Sequence, residues 1–216
     1  MKKKYGLCCI AIGAMLLIAA LSLVICNSHM DKAAKENSER VLSALKEKIP
    51  EQINIQPVTE FVSEDLFHEY KISETTEIIT EEPVVRIENN DYIGYILLPA
   101  LGIELPVMSS WSYDNLKISP CRYKGSAAGG DLIIAAHNYS SHFGRLDELR
   151  CGEEIIFTSA DGTILKYEVI QTENISGKDV EAMEFGSFDD WDLTLFTCTL
   201  SGQSRVTVRA AIKQDE

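Results

Sequence analysis

Between Leu7 and Cys26 the chain carries no charged residue, and Lys2-Lys3-Lys4 precede the run. About twenty apolar residues are enough to cross a bilayer as one helix, because the hydrocarbon core is about 30 Å thick and a helix rises about 1.5 Å per residue. Lysines precede the run and no comparable cluster comes after it, which puts the N-terminus in the cytoplasm and the rest of the chain outside. A cleaved secretory signal has the same charged start, but a shorter apolar centre and a small-residue cleavage site. Leu23-Val24-Ile25-Cys26 faintly matches a lipoprotein box, with bulky Ile25 where a small residue is wanted. An uncleaved anchor over 7–26 is the preferred reading, with residues 1–6 as a cytoplasmic tail. Each alternative still exports the domain beyond Cys26.

The remainder is acidic. The formal net charge is -13 and the only basic block is the N-terminal one, which argues against a nucleic-acid partner, since phosphate binding needs a basic surface. From Asp31 to Ile49 the chain is rich in Ala, Lys, Glu and Leu, with Val41, Leu42 and Leu45 at helical spacing, and Pro50 is expected to end that helix. A solvated spacer next to the membrane is the expectation here, because a coiled coil needs more apolar heptads. Residues 51–90 are acidic with weak periodicity. Glu74 to Pro83 reads as a linker, and Phe61, Leu66, Phe67 and Tyr70 suit a short helix. Residues 27–88 are therefore taken as an extracellular stalk, and 89–216 as one folded domain.

That domain reads as short strands. Ile93 to Pro99, Ile103 to Val107, Asp131 to His137, Glu154 to Thr158, Thr163 to Gln171, Leu193 to Cys198 and Arg205 to Ile212 are strand-like runs. Gly, Ser and Asp turns separate them, and a helical turn is expected near Tyr113 to Lys117. Such a succession argues for a barrel or sandwich rather than an α/β sheet.

Chemistry concentrates at Leu193 to Ala210. An apolar strand ends in Cys198, a small polar turn comes next, and the second strand opens on Arg205. If the two strands pair, thiol and guanidinium lie close together, and nearby positive charge favours the nucleophilic thiolate. Arg209 lies on the same face because its separation from Arg205 is even. A surface ion pair is the expectation for Arg209, given the many carboxylates.

Thr194-Leu195-Phe196-Thr197-Cys198 resembles the T-L-x-T-C signature of sortases, the cysteine transpeptidases of Gram-positive cell envelopes. Ala135-Ala136-His137-Asn138 resembles the family's histidine segment, and Leu97 to Val107 its opening strand pair. The resemblance covers roughly the last three fifths of the chain and implies an eight-stranded β-barrel with short helices in its connections. It also implies that Cys198 is the nucleophile, His137 the general acid and base, and Arg205 the group that stabilises the oxyanion or positions the substrate. His142, in the loop after His137, is expected to be structural. The short turn after Cys198 and the lack of a long C-terminal tail fit several sortase classes, class B- and D-like among them.

Cys121, His137, Cys151 and Cys198 lack the paired spacing of a zinc site. Asp147-Glu148, Glu153-Glu154 and Asp189-Asp190 are acidic pairs of the kind that hold calcium in some sortases, but no loop has EF-hand oxygen spacing. No cofactor and no metal are expected. A Cys121–Cys151 bridge would leave Cys198 as the odd thiol, but it carries little weight because nothing in the sequence brings their β-carbons together.

The resulting expectation is a membrane-anchored transpeptidase that cuts a Leu-Pro-x-Thr-Gly-like sorting signal of exported proteins through a Cys198 thioacyl intermediate. The acyl group then passes to an amine of a cell-wall peptide or a pilin lysine. The rivals are an exported cysteine peptidase, in which water is the acceptor, and a membrane-tethered barrel that only binds.

Overall fold

The computed structural model describes residues 2–50, 82–184 and 191–213, with side chains from residue 10 onward. The short helix considered for Phe61 to Tyr70, most of the linker up to Pro83, and Asp189-Asp190 lie outside the described residues.

The chain begins with one long helix, α1 (Lys2–Lys48). After the undescribed segment come β1 (Val85–Ile87), β2 (Asn90–Leu98), β3 (Ile103–Met108), a short α2 (Tyr113–Leu116), β4 (Cys121–Lys124) and β5 (Leu132–Ala135). They are followed by β6 (Glu154–Ser159), β7 (Ile164–Ser176), α3 (Val180–Glu184), β8 (Leu193–Cys198) and β9 (Ser204–Ile212). The sheet order is β1-β2-β3-β4-β5-β8-β9-β7-β6, and β6 also pairs with β2. Strands β2 to β9 therefore close into an eight-stranded barrel, with β1 an extra strand on β2. Two neighbour pairs, β3–β4 and β5–β8, are parallel and the rest antiparallel.

Closure depends on a glycine. β2 is paired on both flanks and its register against β3 shifts at Gly94. Gly94 has φ 148°, and a β-carbon there would sit 2.0 Å from the Thr158 carbonyl oxygen of β6. Only a residue with no side chain lets the two strands meet at that angle.

The expected strands are all present. β1 and β4 are additions, too short to show a period, and β7 runs on to Ser176, past the expected end at Gln171. Pro106 lies inside β3, where it is tolerated because β3 meets β4 only at Met108–Cys121 and most of that edge is unpaired.

Three apolar clusters hold the molecule together. The barrel interior is filled by alternating strand residues such as Ile96, Leu98, Leu132, Ile134, Phe157, Leu193, Leu195 and Val208. A second cluster joins α1 to the barrel: Val41, Leu45 and Ile49 pack against Ile87, Tyr92, Met108 and Cys121. The third, Ile133, Ala135, Ile175, Met183 and Phe196, covers the opposite side of β5 and β8 from the interior.

The second cluster corrects the expectation of a solvated spacer. Ala34, Ser38, Val41, Leu45 and Ile49 recur at three- and four-residue spacing and are all buried, so one stripe of the helix is a docking face. Burying Val, Leu and Ile side chains contributes roughly 1.5–3 kcal/mol each. Lys46 reaches Glu104 at 2.7 Å, and Lys48 donates to the Arg86 carbonyl at 2.8 Å. Only barrel coordinates show what the stripe faces. The N-terminal half of α1 has the opposite character: Leu17, Leu23 and Met15 are more than 70% exposed. The helix is long and apolar enough there to cross a membrane, and an exposed apolar surface of that extent needs a cover.

Candidate active site

β8 sorts its side chains by alternation. Leu193 and Leu195 enter the barrel interior, so Thr194, Phe196 and Cys198 take the other face. Cys198 ends the strand and is exposed. On one flank, Cys198 and Arg205 are register partners in the antiparallel β8–β9 pair, and residues directly opposite each other share a face. The turn between them is tied at both ends. Thr199 N–H donates to the Ser204 carbonyl at 3.0 Å, and Gly202 N–H to the Thr199 carbonyl at 2.8 Å. The Arg205 guanidinium donates to the Gly202 and Ser204 carbonyls, each at 3.2 Å.

On the other flank β5 runs parallel to β8, with Ala135 opposite Phe196. The pairing continues one residue further: Ala136 N–H donates to the Phe196 carbonyl at 3.1 Å, and Thr197 Oγ1 donates to the Ala136 carbonyl at 2.9 Å. His137 comes next, at the level where β8 ends. The structure thus brings the three predicted residues, which lie on three separate strands or their extensions, to the same end of three adjacent strands. Cys198 is on the middle one. A cavity of about 390 Å³ opens beside Cys198, lined also by Asn138, Asp147, Thr199 and Leu200. A larger cleft of about 480 Å³ lies between α1 and the β2–β3 turn and holds none of the three.

Two polar neighbours of the site are fully buried. Arg209, expected in a surface ion pair, is one of them. It donates to Thr194 Oγ1 and the Ala182 carbonyl at 2.7 Å and to the Met183 carbonyl at 2.9 Å, reaches Glu173 at 3.4 Å, and lies 4.6 Å from the Trp191 ring centroid. Carbonyls near the end of α3 lack intrahelical partners, and the guanidinium supplies donors to them. A five-residue helix has no sequence period by which to foresee this. His142, the other, is structural, as expected. Burial pushes its imidazole down to about 4, against the opposing pull of the Asp31 charge.

Sequence reasoning missed a row of aromatic rings beside the thiol. Phe196 meets Tyr123 edge-on at 5.3 Å, Tyr123 meets Trp111 at 5.8 Å, and Trp111 meets Tyr113 at 5.2 Å. Trp111 and Tyr113 remain exposed. The row joins residues from three separate segments, so no local pattern announces it.

Cys121 and Cys151 are both free. Cys121 is buried under α1, and that burial pushes its thiol up to about 12; Cys151 is exposed. Among the described residues no group of three His, Cys, Asp or Glu side chains is placed to hold a metal ion. Glu148 pairs with Arg145, and Glu154 with Lys213.

Residues 96–213 match the family profile described as the sortase domain. No curated protein matches the chain. Among solved structures, sortase C from Clostridium perfringens SM101 is 26% identical, with 58% of this chain and 71% of that one covered and a TM-score of 0.51. A Clostridium perfringens sortase D5 transpeptidase is 25% identical, with 58% and 82% covered and a TM-score of 0.51. Clostridium perfringens sortase C with the C-terminal cell wall sorting motif shares the fold at 23% identity, covering 58% and 72%, again with a TM-score of 0.51.

Proposed function

The chain belongs to the sortase family of cysteine transpeptidases, and from that premise we propose that it exchanges one peptide bond of an exported protein for another outside the membrane. Cys198 attacks the carbonyl carbon of a Thr–Gly bond in a Leu-Pro-x-Thr-Gly-like signal. A C–S bond forms, and negative charge gathers on the former carbonyl oxygen. Arg205 stabilises that oxyanion or holds the neighbouring backbone carbonyl, where a fixed positive charge is worth most. His137 gives its proton to the leaving amine as the C–N bond breaks. The thioacyl enzyme keeps the acyl group activated until an amine attacks it. His137 then accepts a proton from that amine as the C–S bond breaks, and Cys198 leaves as thiolate. A cell-wall peptide amine or a pilin lysine supplies the nucleophile.

The observation that carries this reading is the register pairing of Cys198 with Arg205, with His137 at the end of the neighbouring strand. The aromatic row beside Cys198 suits an extended peptide with apolar side chains, and the solved relative named with a cell wall sorting motif supports the substrate class. The first half of α1 serves as the anchor, with Lys2-Lys3-Lys4 on the cytoplasmic side. Residues 89–216 are the catalytic unit, and no cofactor takes part.

The test incubates the purified full chain in detergent with a peptide carrying Leu-Pro-x-Thr-Gly and with triglycine. Mass spectrometry is expected to show an acyl adduct on Cys198 and a new amide product. Hydrolysis without amide product would instead support a peptidase. Absence of any adduct, with neither amide nor hydrolysis product formed, would reduce the chain to a binding barrel, while peptide transfer unchanged in Cys198→Ala would remove the thiol from the reaction.

A further inference from the structure

α1 is tied to the loop that carries His137 by contacts the proposed reaction does not use. The Asp31 carboxylate accepts from the Ser140 hydroxyl, from the Ser141 N–H at 3.1 Å and from the Ser141 hydroxyl. Burial works against the Asp31 charge, but these hydrogen bonds outweigh it and hold the carboxyl below its ordinary range. Two helical turns later on the same face, buried Ser38 places its hydroxyl 3.3 Å from Nε2 of His142. The loop itself is compact: the Tyr139 carbonyl accepts from the N–H groups of His142 at 3.0 Å and Gly144 at 2.9 Å.

Tyr139 carries the contact onward. Its ring is 5.6 Å from that of His142, and it stacks on His137 at 4.4 Å with the planes inclined by 14°. Tyr139 is only 5% exposed, so this is packed structure and not a surface coincidence. Neither ring nitrogen of His137 is hydrogen-bonded among the described residues, which leaves the Tyr139 stack as the contact that sets the plane of the imidazole. A displacement of 1 Å at a reacting group can cost on the order of a hundredfold in rate.

We infer that Asp31, Ser38 and Tyr139 are positioning residues for His137, so that the membrane-proximal part of α1 sets the orientation of the acid–base group. This rests on the acid–base role proposed for His137. The same continuous helix carries the apolar run at one end and this clamp further along. Docking of the helix against the barrel and alignment of the histidine are then a single event.

The experiment uses the full chain in detergent micelles, and compares wild type with Tyr139→Leu, Tyr139→Phe and the Asp31→Ala/Ser38→Ala double variant. Imidazole nitrogen resonances of His137 are tracked through a pH titration, alongside the pH profile of peptide-to-triglycine transfer. Tyr139→Leu and the double variant are expected to move the His137 resonances and the matching limb of the pH profile. They should also lower kcat at least tenfold, an order-of-magnitude expectation for a misplaced group, with KM little changed. Tyr139→Phe keeps the stack and is expected to restore the wild-type profile. Unchanged His137 resonances and an unchanged profile in both altered proteins would overturn the inference. Should the double variant lose its fold by circular dichroism, Asp31→Asn alone, which keeps one acceptor oxygen, decides the same question by the same resonances. His137→Ala separates the two claims: transfer that survives it removes the acid–base reading, while the ring resonances of the other variants still report on the contact.

Discussion

Cys198 and Arg205 stand directly opposite each other across the β8–β9 ladder, at the end where the two strands are joined by a tied turn. The Arg205 guanidinium donates to the Gly202 and Ser204 carbonyls of that turn, and the role proposed for it is to bind the oxygen on which charge develops when the thiol attacks. Removing one donor of this kind costs about 10²–10³ in rate in other acyl-transfer enzymes. Arg205→Ala is therefore expected to lower kcat/KM for peptide transfer by about that factor, while Cys198 still reacts with iodoacetamide. Arg205→Lys should restore little, because an ammonium lacks the planar fork. A loss under threefold in Arg205→Ala would argue against the role.

His142 makes the fold sensitive to pH. Its folded-state value of about 4 lies below the ordinary 6.5 because burial disfavours the cation. Between these values the unfolded chain binds a proton that the folded chain does not, so stability rises with pH across the window. It is complete above about 6.5 and lost as pH falls toward 4. The difference corresponds to about 3 kcal/mol. Urea denaturation at pH 7 and pH 4.5 should show most of that loss in wild type, and His142→Gln should flatten the slope.

Leu45 tests whether α1 belongs to the folded unit. It is fully buried among Tyr92, Met108 and Cys121, and a Leu→Ala change at such a site costs about 2–5 kcal/mol. Leu45→Ala is expected to lower the denaturation midpoint of the barrel itself. Leu42→Ala, at a less buried position on the same helix, should change it little. Equal effects would mean that the docking face is not as described.

Accessibility separates the thiols. Cys121 is buried with its thiol raised to about 12, whereas Cys151 and Cys198 are exposed. Iodoacetamide at pH 8 should label Cys151 and Cys198 in the native protein and reach Cys121 only in denaturant. Early labelling of Cys121 would show α1 lifting from the barrel.

The aromatic row predicts where a peptide lies. Tyr123 bridges Phe196 to Trp111 on the side of the barrel that Cys198 shares. Tyr123→Ala and Trp111→Ala are expected to raise KM for the sorting peptide several-fold, with kcat nearly held, as removal of uniform binding does. A fall in kcat at constant KM would point to the reacting centre instead.

What could be read from the order of residues alone was whatever is local. The apolar run before Asp31 needs only its own length and composition to be a helix long enough to cross a membrane. The alternation of Leu193 to Cys198 states that a strand ends in an outward thiol, and the serines and Gly202 state that a turn comes after it. From these, with the sortase resemblance, the barrel was legible, and Cys198, Arg205 and His137 could be named as candidates. Assembly decided the rest. That β5 lies beside β8, so that His137 reaches the cysteine's end of the sheet, is a pairing between distant segments, and no spacing records it. β1 and β4 are strands only because a neighbour completes their hydrogen bonds. Arg209 is buried because carbonyls of α3 meet it, and the Val41–Leu45 stripe becomes a docking face because the barrel presents Tyr92 and Met108 to it. A chain's period fixes which side of an element is apolar; what covers that side depends on which distant surface arrives, and that is settled only when the whole fold buries its surfaces together.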